Sequence, residues 1–166
     1  LLALGSNQRH PLLGAPERIL IEAINALEMD DIDVFAQSPI ILSAPVGPSL
    51  RRYANAAAIV ATSLSPPELL DRLHQIEAHF GRERRGQRWR ARTLDIDIIL
   101  WSGGMWVEDL PALAIPHPRM RERNFVLGPA AAIAGNWRDP VSGLAVRHLA
   151  QRLKQPKPLD PMQTGL

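Results

Sequence analysis

The chain has 166 residues, 46% hydrophobic and 22% charged, with a formal net charge of +2 and no cysteine. That length and balance fit one globular domain with an ordinary core, and they exclude disulfides, thiolate zinc sites and cysteine nucleophiles. No apolar run approaches the roughly 20 residues that a membrane helix needs. The opening Leu1-Leu2-Ala3-Leu4 is too short for a signal peptide and lacks its basic flank. No membrane partner and a cytoplasmic location are therefore expected.

Leu1–Leu4 predicts a short buried strand and Gly5-Ser6-Asn7 a turn. From Pro16 to Leu27, Ile19, Leu20, Ala23, Ile24 and Leu27 follow helical spacing. Ile32–Leu42 is rich in branched residues and predicts a strand. Ser43–Ser49, with two prolines and a glycine, predicts a loop. Tyr53–Thr62 predicts another strand. Ser65-Pro66-Pro67-Glu68 predicts a capped helix start, and Leu69, Leu70, Leu73, Ile76 and Phe80 continue it as one apolar stripe until Gly81. Leu94–Trp101 alternates as a strand. Gly103-Gly104 turns the chain, and Met105–Val107 begins a small hairpin arm. Phe125–Ala134 and Leu144–Leu153 predict short helices.

Residues 1–154 are expected to form one domain. Gln155–Leu166, with three prolines, is expected to be a loose tail. The order strand, helix, strand, strand, helix, strand predicts an α+β fold: a ferredoxin-like βαββαβ antiparallel sheet with helices on its faces, plus C-terminal helices. In that arrangement the first and last strands lie side by side at the sheet centre.

The chemistry concentrates in residues 82–97. Asp95 and Asp97 stand two apart in a predicted strand, so their carboxylates share a face about 6.5–7 Å apart. An isolated pair of this kind is more often a solvated polar face. Here it sits among Leu94, Ile96 and Ile98, where bare charge is costly to bury. Two such carboxylates can share one or two Mg²⁺ ions bridged by phosphate oxygens. Just upstream, Arg82, Arg84, Arg85, Arg88, Arg90 and Arg92 surround Gly86 and Trp89. A basic loop alone reads as solvated. A tryptophan among arginines points instead to a lid closing over a flat heteroaromatic ring.

A second basic group, Arg119, Arg121 and Arg123, follows Pro116-His117-Pro118. The prolines fix the loop around His117, and Arg123 offers a second phosphate contact. Asn55 is the polar exception in a strand of alanines. It serves equally as a turn-satisfying amide or as a partner for a polar ring. Neither a P-loop nor a dinucleotide-binding glycine motif is present.

Together these residues resemble the 6-hydroxymethyl-7,8-dihydropterin pyrophosphokinase family of folate biosynthesis. The resemblance runs through Ala3-Leu4-Gly5-Ser6-Asn7, Tyr53-Ala54-Asn55-Ala56-Ala57, Gly81-Arg82, Arg88-Trp89, Arg92-Thr93-Leu94-Asp95-Ile96-Asp97 and Pro116-His117-Pro118. It implies transfer of pyrophosphate from ATP to the pterin hydroxymethyl group, with release of AMP. By resemblance Asp95 and Asp97 hold two Mg²⁺ ions, and with Arg82 and Arg92 they form the catalytic set. Glu77, Arg82, Arg84, Trp89, Arg92, Ile98, His117 and Arg123 correspond to ATP contacts. Ser43, Ala44, Pro45, Val46, Tyr53, Asn55, Trp89 and Phe125 correspond to the pterin pocket, with Phe125 as its stacking ring. ATP, the pterin and Mg²⁺ are the implied partners of a monomer, without nucleic acid. No general base stands out; Asp95 or Asp97 could take the proton, though metal ligation lowers their basicity. The chain departs from the family at Arg90-Ala91, where Gly-Pro is common, at Gln8-Arg9-His10, where an aspartate or similar residue is common, and at Ala114, which has no hydroxyl.

Two other readings compete. An RNA-binding domain would need exposed aromatics on the sheet, whereas this chain is 5% aromatic and offers Asp95 and Asp97 there. An inactive nucleotide or pterin binder would have no need of Arg82, Arg92 and both aspartates together.

Overall fold

A computed structural model of the chain describes residues 1–28, 31–44, 52–81, 93–110 and 112–154. Its elements are β1 (Leu2–Ser6), α1 (Pro16–Leu27), β2 (Ile32–Gln37), β3 (Ile41–Ser43), β4 (Tyr53–Thr62), α2 (Pro66–His79) and β5 (Asp95–Ile98), then β6 (Trp106–Asp109), β7 (Ala112–Ile115), a 3-10 turn (Met120–Glu122), α3 (Asn124–Ala134) and α4 (Val146–Lys154). The main sheet runs β2-β4-β1-β5, all pairs antiparallel, with β3 also laid along β4. This is the expected α+β, ferredoxin-like arrangement, with one correction. β1 and β5 are neighbours, but β5 forms the edge; the central pair is β1 and β4.

Strand alternation sorts the core into two layers. Leu2, Leu4, Ala54, Ala56, Ala58, Ile96 and Ile98 face one side, where α1 and α2 bring Ile19, Leu20, Leu69 and Leu73. Ala3, Ala57 and Ile99 face the other, where α3 and α4 bring Val126, Leu127, Val146 and Leu149. Helix α2 begins as its sequence demands: Pro66 and Pro67 open it, and the Ser65 N–H donates to Glu68 Oε2 at 2.8 Å. Among the described residues no helix is long and apolar enough to cross a membrane.

Four local departures from expectation have physical causes. β1 reaches Ser6, so Gly5 and Ser6 are strand, not turn. Pairing with β4 on one side and β5 on the other overrides glycine's weak strand preference. The predicted strand Ile32–Leu42 is broken into β2 and β3 around Pro39. A register shift between Val34 and Ala36 leaves Phe35 bulged and exposed. Ser38 bridges the break, accepting from the Ala57 N–H at 2.9 Å through its hydroxyl and donating its own N–H to Ala57 O. The predicted strand Leu94–Trp101 is only Asp95–Ile98, because its partner β1 begins at Leu2. Finally, the hairpin arm after Gly104 extends beyond Met105–Val107, with β6 at Trp106–Asp109 pairing β7 at Ala112–Ile115. The tail from Gln155 lies outside the described residues.

The C-terminal layer is closed by one buried carboxylate. Asp139 has no exposed surface. It accepts from Arg121 Nε at 2.7 Å and Nη2 at 2.6 Å, from the Ser142 hydroxyl, and from the Val141 and Ser142 N–H groups at 3.2 Å. Burial pushes its carboxyl pKa up, but the bonds from Arg121, Ser142 and Val141 outweigh burial and hold it at about 2. A depressed carboxyl pKa stabilises the fold above the ordinary value of 3.8 and loses that contribution as pH falls through about 2. Asp139→Asn should therefore be less stable at neutral pH yet lose less further stability than the parent between about pH 4 and 2. Denaturant titrations at both pH values test this.

Candidate active site

The double pairing of β1 lines up residues from three strands. Gly5 stands opposite Asn55 of β4 on one side and Asp95 of β5 on the other. The next row on the same face is Ala57, Ala3 and Asp97. Two strand spacings separate Asn55 from Asp95, about 9–10 Å. Between them stands Gly5, which has no side chain, while Ala3 and Ala57 of the next row are buried in the α3 and α4 layer. A Cβ built on Gly5 would lie 3.7 Å from Asn55 Oδ1 and project into that space.

On the Asn55 side, its Nδ2 donates to Ser43 Oγ at 2.9 Å and to Tyr53 O at 3.3 Å. Ser43 and Tyr53 are themselves paired across β3 and β4. The amide is 4% exposed and fixed in orientation. Ala44 follows directly on β3. Phe125, in the first turn of α3, carries the Arg123 guanidinium 5.8 Å from its ring centroid.

On the Asp95 side, the loop after β7 folds back over β5. The His117 N–H donates to Ile99 O at 3.1 Å, which seats the loop. The Arg119 N–H donates to His117 Nδ1 at 3.1 Å. That leaves Nε2 as the proton-bearing nitrogen of the neutral ring, and Nε2 stands 3.8 Å from Asp97 Oδ2. Arg123 Nη1 is 3.9 Å from the same oxygen. Burial holds the His117 imidazole below the ordinary histidine value, while Asp97 and Asp95 pull it up and Arg123 and Arg119 push it down. Two carboxylates on one strand face, beside an imidazole and a guanidinium, form a hard-oxygen donor set flanked by phosphate-binding groups. Mg²⁺ commonly uses one or two carboxylates in this way and completes its shell with phosphate oxygens and water.

Glu77, which by resemblance corresponds to a position near the nucleotide, lies beneath the strand of the two aspartates. It has no exposed surface, and its Oε1 accepts from the Ile96 N–H at 2.8 Å. Ile96 lies between the two aspartates, so Glu77 braces the edge strand that carries them. Ile98 is buried on the opposite face, against the α1 and α2 layer. Of the second basic group, Arg123 turns to Asp97 whereas Arg121 turns to Asp139. Asp139 was missed by sequence reasoning. Its Asp-Pro-x-Ser-Gly setting signals a turn, but nothing local names its arginine. Pro45, Val46, Arg82, Arg84, Trp89 and Arg92 lie outside the described residues, and so does the proposed lid.

The model of the family described as 7,8-dihydro-6-hydroxymethylpterin-pyrophosphokinase matches residues 1–135. Curated relatives bear the name 2-amino-4-hydroxy-6-hydroxymethyldihydropteridine pyrophosphokinase. The chain is 40% identical to that of Pseudomonas aeruginosa over 154 residues, covering 92% of this chain and 88% of the relative. It is 39% identical to that of Haemophilus influenzae, covering 90% of each. It is 40% identical to that of Bacillus subtilis, covering 80% of this chain and 75% of the relative.

The gap at Gly5 makes a separable prediction. Gly5→Ala should leave stability unchanged or raise it by up to about 1 kcal/mol, because alanine suits a strand better. Its methyl group, 3.7 Å from Asn55 Oδ1 and in the gap beside it, should still slow the reaction named for those relatives by about tenfold, since a small misplacement of substrate is costly in rate. Thermal melts and steady-state rates on the same protein test this; a normal rate would remove Gly5 from the site.

Proposed function

We propose how this chain, which belongs to the 7,8-dihydro-6-hydroxymethylpterin-pyrophosphokinase family, uses the residues described above. It is a pyrophosphokinase of folate synthesis and transfers a pyrophosphoryl group from ATP to 6-hydroxymethyl-7,8-dihydropterin. The substrate hydroxyl oxygen bonds to the β-phosphorus, and the bond from that phosphorus to the α-phosphate oxygen breaks. AMP leaves with the bridging oxygen, and the hydroxyl proton is released. The observation that carries the assignment of roles is the cross-strand row of Asn55, Gly5 and Asp95.

In this reading the pterin lies over Gly5. Asn55 meets its polar edge, Phe125 stacks on its face, and Ser43, Ala44, Pro45, Val46, Tyr53 and Trp89 line the pocket. The hydroxymethyl group then reaches toward Asp95. Asp95 and Asp97 would hold two Mg²⁺ ions, which supply charge neutralisation between the phosphate oxygens. His117 presents Nε2–H and Arg123 its guanidinium to the nucleotide phosphates, beside Asp97. Arg82 and Arg92 spread the charge that develops on the transferred group, and Arg84 and Trp89 close over both substrates and exclude water. Ile98 lies near the nucleotide, and Glu77 serves it through β5. Positioning supplies much of the rate, since the chemistry needs an in-line approach and little covalent help. The catalytic unit spans residues 1–154, because α4 completes the second core layer. All these groups come from one chain, so a monomer suffices. The proposal includes a cytoplasmic location and no role for nucleic acid.

The deciding experiment incubates the protein with Mg²⁺, ATP and 6-hydroxymethyl-7,8-dihydropterin. AMP and the pyrophosphorylated pterin should appear together; ADP would overturn the reading. Asp97→Ala should abolish turnover and weaken Mg²⁺-dependent ATP binding, and a near-normal rate would remove Asp97 as a metal ligand. Arg92→Ala should cost about 10³ in rate, as charge-stabilising arginines do in phosphoryl transfer. A loss under tenfold would reduce Arg92 to a binding contact.

A further inference from the structure

We infer that Asp139 is a positioning residue for nucleotide binding, acting through Arg121. The inference rests on the reading above, in which His117 and Arg123 meet the nucleotide. Those two residues are joined by the 3-10 turn Met120–Glu122. The turn begins where the Met120 N–H donates to His117 O at 3.0 Å and ends where the Arg123 N–H donates to Met120 O at 3.3 Å. It is too short to hold its own shape. Arg121, at its middle, is fastened by two hydrogen bonds to Asp139, 18 residues on.

Asp139 is itself immobilised. Its N–H donates to Leu144 O at 3.0 Å, its carbonyl accepts from the Gly143 N–H at 2.8 Å, and Gly143 takes the φ of +70° that lets the turn close. The Val146 N–H donates to Trp137 O at 2.9 Å and ties the turn to the start of α4. A fully buried carboxylate thus anchors the midpoint of a segment whose two ends both stand within 4 Å of Asp97 Oδ2.

The same contact separates the basic residues by task. Arg119, Arg121 and Arg123 alternate along the chain, and only Arg123 is within ion-pair distance of Asp97. Asp139 draws Arg121 the other way. A two-bond guanidinium–carboxylate contact fixes orientation as well as distance, so it sets the rotation of the turn. The hydrogen bonds of the Asp139 and Arg121 side chains run to each other, to Val141 and to Ser142, and not to the Asn55 side. Loss of their contact therefore disturbs nucleotide binding and spares pterin binding.

The test uses Asp139→Asn, which keeps the shape and removes the charge, and Arg121→Gln, which leaves Asp139 its Ser142 and Val141 partners. Affinity for a non-hydrolysable ATP analogue with Mg²⁺ is measured by calorimetry well below each variant's melting temperature. Pterin affinity is measured at saturating analogue. Each variant should bind the analogue about three- to thirtyfold more weakly, the range of remote couplings, with pterin affinity within twofold of the parent. Folded variants with unchanged analogue affinity would overturn the inference, and so would an equal fall in both affinities, which marks a merely structural role. If Asp139→Asn does not fold, Arg121→Gln decides alone. Arg123→Ala separates the two levels of argument. If it weakens analogue binding while the clamp variants do not, only the positioning role is lost; if it too is silent, the nucleotide reading falls and the inference with it.

Discussion

Strand β1 is bonded on both sides, to β4 and to β5, and the site inherits its dimensions from that double pairing. Each ladder fixes one side chain opposite Gly5, and each ladder has the spacing of any antiparallel pair. The gap between Asn55 and Asp95 is therefore set by backbone hydrogen bonds, not by side-chain packing. Gly5 leaves that gap without a side chain, and in the next row Ala3 and Ala57 let the α3 and α4 layer pack on the sheet. Glycine and alanine are poor strand formers. Stability is recovered on the opposite face, where Leu2, Leu4, Ile96 and Ile98 pack against α1 and α2.

Among the described strands, β5, which carries Asp95 and Asp97, is short and lies at an edge of the sheet. β5 has four residues and one neighbouring strand, so its outer N–H groups must find partners elsewhere. Glu77 provides one, from a helix, to the peptide between Asp95 and Asp97. Burying a carboxylate is costly unless it is hydrogen-bonded. The cost is offset by a strand that does not slide, since a slip of one residue would turn both aspartates into the α1 and α2 core. A residue that resemblance associates with nucleotide is bonded here to the backbone between Asp95 and Asp97.

Those two points also explain what the sequence could and could not reveal. The helices are legible because their signals are local: the Ser65–Glu68 cap, the stripe from Leu69 to Phe80 and the spacing from Ile19 to Leu27. Asp95 and Asp97 are legible because a period of two is local as well. Gly5 is not, since a glycine before Ser-Asn reads as a turn until two partner strands are known. The break at Pro39 is half legible: proline signals an interruption, but the Ser38 bridge to Ala57 depends on a strand 19 residues away. Glu77 and Asp139 are hidden for the same reason. Each is a carboxylate on a surface-like stretch of sequence, and only the packed layers show that each is buried and hydrogen-bonded.

Asp139 and Asp97 show how one pairing chemistry serves two ends. At Asp139 the guanidinium nitrogens stand 2.6 and 2.7 Å away, within hydrogen-bond range, and two backbone amides add to them. At Asp97 the imidazole and guanidinium stand 3.8 and 3.9 Å away, beyond that range. A locked pair gives rigidity and holds its proton state far into acid. At Asp97 the longer distances place an imidazole and a guanidinium beside the carboxylate without a hydrogen bond from either to that oxygen. The distances separate a carboxylate hydrogen-bonded to its guanidinium at Asp139 from one beyond hydrogen-bond range of both groups at Asp97, and the turn from His117 to Arg123 connects them.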